Sequence, residues 1–166
     1  LKDRAKYFGL DKSSVHFGFM YCAYSQITID GENSFVNNEA PSTASQAGGG
    51  AIYLSECTGY IKNAEFKENT ASNGGALAIF KCKDPDFVIE SCTFTKNTAE
   101  KTGGTFYLNT SYVDIIDCTV TESYGKDNGG IIYSTTCTVD ISNSTFENNT
   151  ATGDNAGLIF GKIIRK

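Results

Sequence analysis

The chain has 166 residues, 40% of them hydrophobic and 20% charged, with 19 acids against 14 bases. That is apolar enough to build a core, and a net charge of -5 gives no electrostatic reason to bind nucleic acid. No run of about 18 apolar residues exists, so no membrane-spanning helix is expected, and a single His excludes chemistry built on several histidines.

Taken in chain order, residues 1–26 show no clean repeat. Phe17, Phe19, Tyr21 and Tyr24 alternate with other residues there. This segment is read as an N-terminal cap, a degenerate coil or an inter-subunit contact segment. Residues 27–166 are read as a repeat domain with an incomplete last coil. The first residue is Leu1 rather than Met and no signal peptide is visible, so the chain is expected to be processed or a fragment.

From residue 27 two motifs alternate. The first is Phe-x-x-Asn, at Phe35–Asn38, Phe66–Asn69, Phe94–Asn97 and Phe146–Asn149, with a degenerate copy at Val120–Ser123. The second is a Gly pair entering a strand, at Gly49-Gly50-Ala51-Ile52, Gly74-Gly75-Ala76-Leu77, Gly103-Gly104-Thr105-Phe106 and Gly129-Gly130-Ile131-Ile132, and weakly at Ala156-Gly157-Leu158-Ile159. Successive units are 25 to 31 residues long. Between motifs the chain alternates with a period of two, as in Val113–Val120 and Val139–Phe146, and Gly, Asn, Asp and Ser punctuate it. Short strands that cannot bury an apolar face alone must stack on their neighbours. The expected fold is all-β, a β-solenoid of about five coils.

Alignment of the units predicts three inward columns. Phe35, Phe66, Phe94, Val120 and Phe146 form a core ladder. Ile61, Ile89, Ile115 and Ile141 form a second column, and Ile52, Leu77, Phe106, Ile132 and Ile159 a third. Asn63, Ser91, Asp117 and Asn143 fall at turns, where such residues tolerate a left-handed backbone. The Asn closing each Phe-x-x-Asn is expected at a similar corner, with its side chain satisfying backbone groups in the next coil and so forming a ladder.

The alternation of these motifs resembles the polymorphic outer-membrane-protein repeat, found in chlamydial surface proteins and in related proteins of ciliates and other protists. The resemblance covers roughly residues 27–160. It implies a right-handed parallel β-helix of the pectin-lyase type, and a surface-exposed or secreted adhesive or structural role. Localisation is therefore expected to be extracellular or at the cell surface.

Six cysteines occur without a Cys-x-x-Cys, and the lone His16 lies in the N-terminal segment, so no zinc site is expected. Cys57 and Cys82 each lie seven residues after a Gly pair, as does Cys137, with Ser111 in the intervening unit. Cys92 and Cys118 each lie two residues before the core ladder. Adjacent-coil spacing suits either disulfides, Cys57–Cys82 and Cys92–Cys118, or a ladder of free buried thiols. Cys22 and Cys137 have no evident mates. Sequons stand at Asn109, Asn143 and Asn148, where glycans are expected if the protein is secreted by a eukaryote.

The β-helix also hosts polysaccharide lyases and glycoside hydrolases, so a carbohydrate-active enzyme is an alternative. Against it, the only arginines are Arg4 and Arg165, near the ends. Asp114 and Asp140 are equivalent in adjacent units, and form either a calcium or acid pair or a solvated acidic face. No cofactor is implied. Tyr53, Tyr107, Tyr133 and Phe160 are predicted on the outer face of the Gly-pair strand, interrupted by Ala78. They make either a binding stripe for a glycan or protein or a stabilising cross-coil stack. The expected function is non-enzymatic, a structural or adhesive solenoid that self-associates end to end, with an inert rigid spacer as a further alternative.

Overall fold

The computed structural model describes residues 18–40, 48–153 and 157–161. Residues 1–17 of the N-terminal segment, with Arg4 and His16, lie outside this range, as do Ala156, Ile163, Ile164 and Arg165.

Among the described residues the chain is all-β, and every strand pairing is parallel. The first sheet contains Met20–Ala23, Ile52–Ser55, Leu77–Phe80, Phe106–Asn109, Ile132–Thr135 and Ile159–Phe160. The second contains Gln26–Ile29, Thr58–Lys62, Phe87–Glu90, Tyr112–Ile116 and Thr138–Ser142. The third contains Asn33–Val36, Ala64–Lys67, Thr93–Thr95, Thr119–Thr121 and Thr145–Glu147. A narrower fourth contains Thr70–Asn73, Thr98–Thr102, Tyr124–Gly125 and Thr150–Ala151. The chain visits the four sheets in turn and climbs one strand spacing per circuit, which is a parallel β-solenoid. Four circuits carry all four strands. An earlier one carries three, and Ile159–Phe160 opens another. Part of the expected N-terminal segment is thus a strand, since Met20–Ala23 pairs with Ile52–Ser55.

The register reproduces the three columns. Phe35, Phe66, Phe94, Val120 and Phe146 are successive partners in the third sheet. Ile61, Ile89, Ile115 and Ile141 follow one another in the second, and Ile52, Leu77, Phe106, Ile132 and Ile159 in the first. Most of these side chains are fully buried, while Phe146 and Ile141 are half-buried and Ile159 is exposed. Phe35, Phe66 and Phe94 stack nearly parallel, with ring centroids 4.8 Å apart at each step. Val120 replaces the fourth ring. Phe106, where the other coils have Ile or Leu, turns its ring edge-on to Phe94 at 4.7 Å, so the smaller residue in one column is offset by a larger one in another.

Sharp corners separate the sheets, and each is a left-handed residue in every coil. Tyr24, Glu56, Lys81, Thr110 and Thr136 form one row, followed by Ser25 in the first coil as by Cys or Ser in the others, and the expected Asn63, Ser91, Asp117 and Asn143 form a second. Asn37, Glu68, Lys96, Glu122 and Asn148 form a third, with φ between 49° and 56° throughout the three rows. In this third row the left-handed residue precedes the Asn of the motif rather than being that Asn. The motif Asn is instead the next residue, and its side chain serves backbone groups of the preceding coil rather than of the next one, because its amide lies beside the corner N–H one coil back. A left-handed non-glycine residue costs about 1–2 kcal/mol, so something must stabilise each corner. The fourth turn uses the Gly pair. Gly103 has φ 68°, and a Cβ on Gly104 would lie 2.2 Å from the carbonyl oxygen of Gly130 in the next coil.

Replacing Asn97 by Ala removes the acceptor for the Asn69 amide and the donor to the Phe66 carbonyl, both buried. The expected cost is about 2–4 kcal/mol from two orphaned groups. Phe94→Ala should cost about 3–5 kcal/mol. Urea unfolding followed by circular dichroism measures both, and near-neutral values would contradict the packing described.

Candidate functional site

The corners account for most of the reactive side chains. After each left-handed residue comes Cys, Ser or Asn in nearly every coil. At the first corner the thiol or hydroxyl donates to the carbonyl two residues back: Cys57 to Ser55 at 3.4 Å, Cys82 to Phe80 at 3.4 Å, Ser111 to Asn109 at 2.9 Å and Cys137 to Thr135 at 3.2 Å. The same sulfur or oxygen accepts the backbone N–H of the preceding coil's corner. Cys57 donates to Cys82 Sγ at 3.3 Å, Cys82 to Ser111 Oγ at 3.1 Å, and Ser111 to Cys137 Sγ at 3.4 Å. Cys92, Cys118 and Ser144 repeat the arrangement at the second corner. Cysteine and serine are therefore equivalent here, each bridging two coils with one small polar atom.

The asparagines do the same at the third corner. Asn69 accepts the N–H of Asn38 at 3.0 Å, Asn97 that of Asn69 at 3.1 Å, and Asn149 that of Ser123 at 2.8 Å. Their amide groups donate back to the carbonyls of Phe35, Phe66 and Val120. Ser123 is too short to reach back in this way. Its buried hydroxyl instead accepts from Thr105 at 2.7 Å, and Thr105 stands where the preceding two coils carry Ala51 and Ala76.

The register brings Cys57 beside Cys82 and Cys92 beside Cys118, but neither disulfide is formed. All six cysteines are free thiols, five of them buried. Cys137 lies in the same column as Cys82, separated from it by Ser111. Cys22 lies in another row, registered with Leu54, and its carbonyl accepts from the Cys57 thiol at 3.4 Å. Burial pushes the Cys82 thiol from 9.0 up to about 11, and burial also raises Cys22 and Cys137. The hydrogen bond between Cys92 and Cys118 favours ionising Cys92 first and holds Cys118 protonated. Buried thiols of raised pKa are poor nucleophiles.

The outer face of the first sheet carries the predicted aromatics and two more. Tyr21, Tyr53, Phe80, Tyr107, Tyr133 and Phe160 form one run with centroid spacings of 4.9 to 5.5 Å. Ala78 interrupts the row, as expected, but Phe80 two residues later on the same face fills the gap and bridges Tyr53 to Tyr107. Sequence reasoning missed Phe80 because it belongs to the neighbouring row; its alternation with Ala78 was the available signal. Most steps are stacked at 2° to 22°, whereas Phe80 and Tyr107 are tilted by 37°. Ring faces are thus largely turned to one another, while edges and hydroxyls face outward. Burial, with neighbouring tyrosines adding, raises Tyr53 and Tyr107. A shallow depression of about 370 Å³ opens at the tilted step, between Tyr53, Phe80, Tyr107, Asn73, Lys81 and Asn109.

Asp114 and Asp140 are direct register partners on the outer face of the second sheet. Among the described residues no group of three or more His, Cys, Asp or Glu is placed to hold a metal ion, and no helix is long and apolar enough to cross a membrane. Of the sequon residues, Asn143 and Asn148 are exposed left-handed corners, while Asn109 is half-buried beside the aromatic run.

The sequence matches the family described as "Right handed beta helix region" over residues 11–160, and the chain belongs to that family. No curated protein and no solved structure matches it.

Two outcomes follow for the thiols. In native protein at pH 8, a neutral alkylating reagent should leave the five buried cysteines unmodified, and in denaturant without reductant it should label all six, read by intact mass. Labelling only after reduction would contradict the free-thiol ladder. Below about pH 9, folded and unfolded chains both keep the Cys82 proton, and its contribution is fully present. Above that the unfolded chain ionises first, so stability should fall as pH rises towards 11, by about 2–3 kcal/mol from this residue. Cys82→Ser should fold and lack that part of the loss.

Proposed function

We propose that the chain is a non-enzymatic structural and adhesive segment of a secreted or cell-surface protein, acting through its outer faces and by end-to-end self-association. The observation that carries this reading is the continuous half-exposed aromatic run on the first sheet. It gives one flank of the solenoid a repetitive, amphipathic surface suited to a glycan or protein partner. Rigidity supports the same reading, since hydrogen-bonded corners join successive coils along three lines.

The geometry of the acids favours a non-catalytic role. Glycoside hydrolysis needs two carboxyl groups facing one another across a bond, and Asp114 and Asp140 lie side by side on one face. The in-phase Phe-x-x-Asn and Gly-pair motifs support membership of the polymorphic outer-membrane-protein group within the wider β-helix family. Parallel strands that pair one above another can add further strands at an edge, and this is the pairing that end-to-end self-association would use.

Negative-stain electron microscopy of a dilution series, with sedimentation velocity on the same samples, tests the assembly. Rods that lengthen with concentration, in steps of about 25–35 Å for five or six stacked coils, are expected. Single short particles at every concentration would overturn self-association. Glycan-array binding abolished by Tyr133→Ala would support the adhesive face, whereas turnover of a polysaccharide would overturn the non-enzymatic reading.

A further inference from the structure

The depression on the first sheet contains a sequon. Asn109, Thr110 and Ser111 form Asn-x-Ser, and Asn109 lines the hollow with Phe80 and Tyr107. The placement follows from strand geometry. Residues two apart on a strand share a face, so Tyr107 is the neighbour of Asn109 along its own strand. Phe80 is its register partner across the sheet. The asparagine is therefore flanked by rings on two sides, at the one step where the aromatic run is tilted rather than flat.

The other two sequons lack such a bed. The residues two positions before Asn143 and Asn148 are Ile141 and Phe146, and both pack against the core. Both asparagines stand on exposed corners.

We propose that Asn109 is an N-glycosylation site and that its first sugar lies in this depression, with its apolar face against the outward edges of Phe80 and Tyr107 at the tilted step. Ser55 and Lys81 line the same hollow; Lys81 is paired with Glu56 at 3.4 Å, and these polar groups stand where sugar hydroxyl and N-acetyl groups would lie. The inference rests on the secreted reading given above. In the transfer step the Asn109 amide nitrogen bonds to C1 of the sugar. The bond from C1 to the diphosphate of a lipid-linked oligosaccharide breaks, the diphosphate leaves as an anion, and one amide proton is lost. Ser111 is fully buried in the folded chain, where its hydroxyl accepts from the Cys82 N–H and donates to the Asn109 carbonyl. Transfer therefore precedes closure of this corner, and the sugar settles onto the rings as the coil forms.

The test is to express the full chain behind a supplied secretory leader in eukaryotic cells and map occupancy at the three sequons by mass spectrometry. Thermal melting then compares the glycosylated protein with Asn109→Gln, each with Phe80 intact and with Phe80→Leu. Asn109 should be occupied, and its loss should lower Tm by about 2–4 °C when Phe80 is present. That difference should vanish in the Phe80→Leu background, while Asn143→Gln and Asn148→Gln leave it intact. An unoccupied Asn109 beside an occupied Asn143 or Asn148 would overturn the proposal, as would an unchanged Tm difference in Phe80→Leu. Binding of free chitotriose to secreted protein whose Asn109 is unoccupied would also overturn it, in favour of a site for sugars in trans. The supplied leader separates these outcomes from the secreted reading. That reading fails instead if the source cells retain the chain in the cytosol.

Discussion

The structure depends on how a corner's backbone N–H finds an acceptor. Along the strands each amide meets a carbonyl of the next coil. At a left-handed corner the chain turns, and the N–H of the following residue points away from that row of carbonyls. A buried amide without a partner costs about 1–3 kcal/mol, and the penalty would recur at every corner of every coil. The chain resolves it by placing a short polar side chain on the equivalent residue one coil on. Asn97 accepts for Asn69, Ser111 for Cys82, and Ser144 for Cys118. Each coil therefore completes the one before it, which ties stacking to hydrogen bonding and makes the unit cooperative with its neighbours.

This constraint explains the cysteines. All the thiols but Cys22 occur where the register demands a small atom that both donates and accepts, and serine replaces them at Ser25, Ser111 and Ser144. Their pairing across coils is a consequence of repetition, and the fold does not require them to be oxidised. The same constraint explains why departures from the repeat occur in linked sets. Ser123 cannot do the work of Asn, and Thr105 supplies its partner. Val120 leaves space beside Phe94, and Phe106 fills it. A coil can drift from the consensus when another position in the same circuit moves with it.

The columns were legible in the sequence because a core ladder repeats with both a fixed period and a fixed residue class. Phe66 and Phe94 could be aligned with no knowledge of the turns between them. The second-corner row was legible for a similar reason, since Asn63, Asp117 and Asn143 are residue types suited to a left-handed backbone. The third row was not, because Glu68, Lys96 and Glu122 are left-handed through their context and carry no local signature. Phe80 escaped because the aromatic run changes rows at one coil, which only side-chain packing reveals. Cys22 was left without a mate because it belongs to the row of Leu54 and not to the corner column. Sequons are visible as strings, but what surrounds Asn109 depends on Phe80, 29 residues away in the chain and adjacent in space.

The inward faces are committed to holding coils together, which leaves the outward faces as the surface open to solvent. The central claim is that corner side chains, rather than covalent links, join those coils. Residue-resolved amide hydrogen exchange under native conditions tests it most directly. The corner amides of Asn69, Cys82, Cys118 and Ser123 donate to side chains of the next coil rather than to backbone carbonyls. The account predicts that they exchange as slowly as the strand amides of Phe66 and Ile89. Exchange at the rate of an open loop would contradict it.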